Sequence, residues 1–299
     1  MAGDDNGLHA HRRMKLADGR ALAYADYGPT AGAPVVYCHG FPSSSCEASL
    51  LAPVLADAGV RLIAPDRPGY GESSPHPGRG LTDFADDAVA LLDHLEIPKA
   101  AVIGVSGGGP YALALLAHKP ARFGPAALVA ALGPPPVLTA CQADFFPVVC
   151  WAFMLASSAP ALAPLIARPM VRALRLRGRL RLGMRLTAPA DREVLADPAV
   201  FDILVAAQRA GLAQGGYAAV QDLLLYVRPW NFPLAAIVAP CTVWHGAADR
   251  IVPAGVAVAL AGMLPDARLR LIANEGHYSL PIRYRDAILR ALMASQSRS

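Results

Sequence analysis

Short apolar runs alternate with helical patterns along most of this chain, and that alternation constrains the fold more than any other feature. The runs PVVYC (34–38), RLIAP (61–65), AAVIGV (100–105) and AALVAAL (126–132) are each bounded by loop residues. Apart from Arg61 at the head of one, they are apolar throughout rather than alternating, as burial on both faces of a sheet requires. Between them fall helical patterns at Leu50–Leu55, Pro110–His118 and Phe84–Leu95, the last with Thr82 or Asp83 as its N-cap. Repetition of strand, loop and helix predicts an α/β fold with a mostly parallel central sheet flanked by helices. Before the first of these runs, MKLADGRALAYADYG reads as a hairpin about Asp18-Gly19.

The rhythm stops at Gly133-Pro134-Pro135-Pro136 and resumes after about Trp230. It continues with strands CTVWH (241–245) and RLRLI (268–272) and helices at Ala254–Leu264 and Pro281–Met293. The expected organisation is a core of residues 1–133 and 231–299, with a helical cap inserted at 134–230. A hydrophobic fraction of 54% against 17% charged residues supplies the large core this needs.

Composition also removes several function classes. A net charge of +4, scattered along the chain, gives no basis for nucleic-acid binding. Five cysteines with no C-x-x-C pair predict reduced thiols, no metal site and no disulfide framework. The N-terminal residues carry early acids and no apolar run, so no secretory signal is expected and the cytoplasm is the expected location. Residues 145–167 are uncharged and long enough to raise the question of a membrane helix, but Pro147, Pro160 and Pro164 interrupt them. Buried or substrate-facing helices are the expectation there. Arg168, Arg172, Arg175 and Arg179 share one helical face, with Arg177, Arg181 and Arg185 nearby. A solvated surface paired with Asp191, Glu193, Asp197 and Asp202 is preferred to contact with anionic lipid.

One hydroxyl stands out. Ser106 in GVSGG follows the apolar run AAVIGV and precedes a helix. A sharp strand-to-helix turn strains its central residue and demands tiny neighbours two positions away, which Gly104 and Gly108 supply. The hydroxyl then stands clear of the sheet, where backbone N–H groups of the helix start are free to face a reacting group.

GVSGG, HGFP (39–42) and DRPGYGESSP (66–75), each after a strand, together resemble the α/β-hydrolase superfamily, in its capped branch of esterases, lipases and epoxide-hydrolase-like enzymes. The resemblance covers the chain from about residue 15 onward and is weakest in the inserted helices. It implies Ser106 as nucleophile and a chain order of serine, acid, histidine. Of eight histidines, His277 in NEGHYS lies past the last strand, where a sheet delivers catalytic groups. Asp249 follows the strand CTVWH and is the expected acid; the loop after AALVAAL offers only Gly133 and prolines. By the family pattern the oxyanion donors are the backbone amides of Phe41 and Gly107. His39 is expected to shape its loop, Asp66 with Arg67 and Glu72 to be structural, and Glu275 to point away from His277. Gly107 and Gly109 suggest a roomy elbow.

The resemblance further implies an enzyme of the carboxylesterase type that needs no cofactor. Its expected substrate is a small molecule, an uncharged carboxylic ester or lactone of small to medium size. Phe145, Phe146, Trp151, Phe153 and Met154 are expected to line an apolar substrate pocket. Serine at the elbow argues against haloalkane dehalogenases and epoxide hydrolases of this fold, which use aspartate there. Thioesterase, C–C hydrolase and peptidase chemistry stay open, as do a peroxidase side activity and a receptor that keeps the triad.

Overall fold

The computed structural model describes residues 8–173, 183 and 185–296. Among these residues eight strands form one sheet, in the order β1-β2-β4-β3-β5-β6-β7-β8. They are β1 (Leu8–Lys15), β2 (Ala21–Tyr27), β3 (Ala33–Cys38), β4 (Val60–Pro65), β5 (Ala100–Val105), β6 (Phe123–Val129), β7 (Cys241–Gly246) and β8 (Ala267–Ile272). β1 and β2 form the antiparallel hairpin, β2 joins β4 antiparallel, and every later pairing is parallel. All residues of β5 and β6 are buried, so both sheet faces are covered at the centre. On one face Phe84, Leu91, Tyr111 and Leu115 pack against the sheet; on the other, Leu51, Leu55, Leu289 and Leu292 do so. Each such side chain contributes about 1.5–3 kcal/mol by leaving water.

Among the described residues six α-helices lie between β6 and β7: Pro135–Ala140, Pro147–Ser158, Ala163–Ala173, Pro189–Leu195, Pro198–Gly211 and Tyr217–Tyr226. Four open on proline, whose fixed φ and missing N–H suit the first helical position. The uncharged stretch 145–167 is thereby divided between two helices, and among the described residues no helix is long and apolar enough to cross a membrane.

Several expectations shift. β6 runs over 123–129 rather than 126–132, because Ala130 adopts a left-handed φ of 47° and ends the strand. The final helix is two, Ser279–Arg283 and Arg285–Gln296. Arg175, Arg177, Arg179 and Arg181 lie outside the described residues. Three of the four acids expected to pair with that arginine surface are engaged elsewhere. Asp191 is fully buried, Glu193 pairs with Arg283 at 2.6 Å, and Asp197 accepts from the Ala199 amide. All five cysteines are free, Cys38 and Cys241 buried and the others partly so.

Candidate active site

Ser106 sits at the turn between β5 and the helix Gly109–His118 with φ 51°, a conformation that L-residues hold only when neighbours impose it. The glycines around it serve close approach. A Cβ on Gly104 would stand 2.6 Å from the Ala112 Cβ, and one on Gly108 would stand 2.0 Å from the Cys38 carbonyl oxygen. The elbow is therefore tight, not roomy: a Cβ on Gly107 would meet Phe41 at 2.5 Å and the Tyr226 hydroxyl at 2.6 Å, and one on Gly109 would meet Ala131 at 2.6 Å.

The sheet brings three distant residues to this point. Asp249 follows β7 and His277 follows β8. The Ser106 hydroxyl lies 3.0 Å from His277 Nε2, and His277 Nδ1 lies 2.7 Å from Asp249 Oδ2. With the proton on Nδ1, the ring donates to the carboxylate and accepts from the serine. The second Asp249 oxygen accepts from the Ile251 and Val252 amides at 2.8 and 2.9 Å, which fixes the carboxylate's orientation. Burial alone would lower the His277 pKa, but the adjoining Asp249 carboxylate outweighs it and holds the ring above 6.5. Burial likewise opposes ionisation of Asp249, and the imidazole beside it wins, leaving the carboxyl below its ordinary range.

Phe41 and Gly107 adjoin across the elbow. The loop that carries Phe41 is held from below. Arg67, fully buried, donates to the His39 and Gly40 carbonyls, the latter at 2.9 Å. Its Nε donates to Asp222 at 3.0 Å. His39 is buried and neutral, its basicity suppressed by burial and by the Arg67 charge. Arg67 thus pairs with Asp222 rather than with its sequence neighbour Asp66, which accepts from the Ser45 amide at 2.6 Å. Glu72 pairs with Arg13 on the surface, and Glu275 turns from His277 to Arg283.

Sequence reasoning missed the residues that the inserted helices add. Asp222 also takes bonds from Arg79, Tyr70 and Tyr111. Burial would raise its pKa, but the Arg79 and Arg67 charges bring it down to about 2. One turn on, the Tyr226 hydroxyl donates to the Gly107 carbonyl at 2.9 Å. Asp191 accepts from the backbone amides of His277, Tyr278 and Ser279 at 3.1, 2.8 and 2.8 Å. The available signal was a lone acid inside the apolar run YAAVQDLLLY; Asp191 in PADRE gave none, because acids in a first helical turn are commonplace.

Two cavities open on Ser106. The larger, about 220 Å³, is apolar and walled by Val148, Val149, Trp151, Phe153, Leu223 and Ile251 among others. Trp151 and Phe153 therefore lie where the sequence suggested. The other three aromatic or thioether candidates do not: Phe145 is buried against Phe153, Phe146 is half-buried at a helix start, and Met154 is 49% exposed. The smaller cavity, about 80 Å³, includes Tyr37, Glu47, Gln208 and His277 in its wall. Among the described residues no cluster of three metal-ligating side chains occurs.

A family model described as alpha/beta hydrolase fold matches residues 33–283. The chain is 36% identical over 137 residues to a non-heme chloroperoxidase of Streptomyces lividans, covering 45% of this chain and 50% of that protein. It is 38% identical over 96 residues to an epoxide hydrolase of Caballeronia sordidicola, covering 31% of this chain and 29% of that one. The chain thus spans half or less of the length of these relatives. The solved structure of esterase RhEst1 from Rhodococcus sp. ECU1013 superposes with a TM-score of 0.66 at 22% identity, covering 96% of this chain and 99% of that one, which is likeness of fold.

Proposed function

The chain belongs to the α/β-hydrolase fold family, and from that membership we propose that it is a serine hydrolase acting by acyl transfer on a carboxylic ester or lactone of small to medium size. The observation that carries this reading is the continuous hydrogen-bonded chain from Ser106 through His277 to Asp249, opening on a cavity. A serine hydroxyl attacks a carbonyl only when a base takes its proton, and His277 Nε2 is in reach to do so. Asp249 fixes the ring's tautomer and stabilises the imidazolium that forms. The carbonyl oxygen, negative in the tetrahedral intermediate, faces the amides of Phe41 and Gly107. Such donors each lower a barrier by about 2.7–4 kcal/mol in a dry site. The imidazolium then protonates the leaving group, and water repeats the sequence on the acyl-enzyme. The apolar cavity suits an uncharged acyl part.

Labelling by a fluorophosphonate probe tests the reading, because such probes report an activated serine. The adduct is expected on Ser106, located by mass spectrometry, and is expected to vanish in Ser106→Ala and His277→Ala. A folded chain that takes no label, or takes it equally in His277→Ala, would overturn the mechanism.

A further inference from the structure

The two cavities beside Ser106 differ in chemistry, and the difference deepens the acyl-transfer reading on which this inference rests. The group that protonates the leaving oxygen has to stand beside it. His277 is in the wall of the smaller cavity and not in that of the larger, so the smaller one receives the leaving group and the larger the acyl chain.

The wall of the smaller cavity holds the side-chain acceptors Glu47 and Gln208. Glu47 is 8% exposed. Its Oε1 accepts from the Tyr37 hydroxyl at 2.8 Å and from the Gly40 amide at 2.9 Å, so the side chain is held in place. Among the described residues its Oε2 has no hydrogen-bond partner and its charge no ion pair. Gln208, in the same wall, has a buried Oε1 that also lacks a partner. No lysine or arginine is in that wall. The buried Gln208 oxygen without a donor is costly, and the Glu47 oxygen, which is not shut away from solvent, is free to accept.

We propose that this cavity is a recognition subsite for a leaving group that carries a hydrogen-bond donor, a hydroxyl or a protonated amine, seated on Glu47 and Gln208. An ether oxygen set against the Glu47 and Gln208 oxygens would meet acceptors, and an alkyl group there would strip water from Glu47 and return nothing. Charge complementarity to an unpaired carboxylate favours the amine; the small volume favours the hydroxyl.

Butyrate esters in matched pairs test this. Hydroxyethyl is compared with propyl, dimethylaminoethyl with isopentyl, and methoxyethyl serves as the acceptor-only control. Each kcat/KM is divided by the ester's rate with hydroxide, to remove intrinsic reactivity. At least one donor ester is expected to exceed its alkyl partner by about tenfold or more, with no gain for methoxyethyl. Which pair shows the gain identifies the donor. Glu47→Gln and Gln208→Leu are expected to cut that ratio to about threefold or less. Hydrolysis of all the esters at ratios within about threefold in the parent chain would overturn the subsite and leave the acyl-transfer reading standing. A preference that survives both variants would overturn its placement on Glu47 and Gln208. Hydrolysis of none would overturn both readings.

Discussion

Asp249 and Asp222 are both buried aspartates near the elbow, but they come from different regions and act differently. Asp249 belongs to the core, follows a strand, and touches the imidazole that would move protons. Asp222 belongs to the inserted helices, touches no reacting group, and gathers Arg67, Arg79 and three tyrosines beneath the loop that carries Phe41. Asp191, also from the insertion, does for the His277 loop what Asp222 does for the Phe41 loop. The core supplies the atoms that would react, and the insertion holds the loops that bear them. Removing a core aspartate should therefore cost rate, and removing an insertion aspartate should cost stability first.

The sharpest division is expected from Asp249→Asn. It keeps the shape and the bonds from Ile251 and Val252, but the imidazole loses the partner that sets its tautomer. Ester turnover should fall about a thousandfold or more, with the urea midpoint little changed. Asp222→Ala should do the reverse, losing about 3–5 kcal/mol of unfolding free energy, because Arg67 and Arg79 would stay buried with their charges unpaired. Denaturant titration reads this directly; an unchanged midpoint would break the comparison. Asp191→Ala should be the mildest. Three backbone amides lose one carboxylate, at about 1–3 kcal/mol, and kcat should drop roughly tenfold as His277 loosens. Asp191→Asn keeps an acceptor and should restore most of both.

The same division explains what could be read in the sequence. The central strands are legible because burial on two faces leaves only apolar residues, and β5 matches AAVIGV residue for residue. Ser106, Asp249 and His277 were traceable because parallel strands end on one edge, so position in the chain implies position in space. The glycines of the elbow are visible in the sequence, but what fills the space beside them is not: Gly107 and Gly109 make way for Phe41, Tyr226 and Ala131, which arrive from elsewhere in the chain. Contacts from the insertion escaped for that reason. Helical periodicity says which face is buried and not against what, so it leaves Asp191 at a surface and does not separate Phe145 and Met154 from the residues that line the Ser106 cavity. Glu47 and Gln208, which lie 161 positions apart by their numbers, meet in one cavity wall that no local pattern announces.

Under the proposed mechanism Ser106 becomes acylated with His277 as base. Brief mixing with a nitrophenyl ester, followed by acid quench and mass measurement, tests it most directly. A gain of one acyl group is expected on the peptide bearing Ser106. Its rate should climb with pH through a value above 6.5, since Asp249 holds His277 protonated to higher pH and only the neutral ring accepts the proton. Ester cleaved with no adduct on Ser106, or with acylation undiminished in His277→Ala, would contradict it.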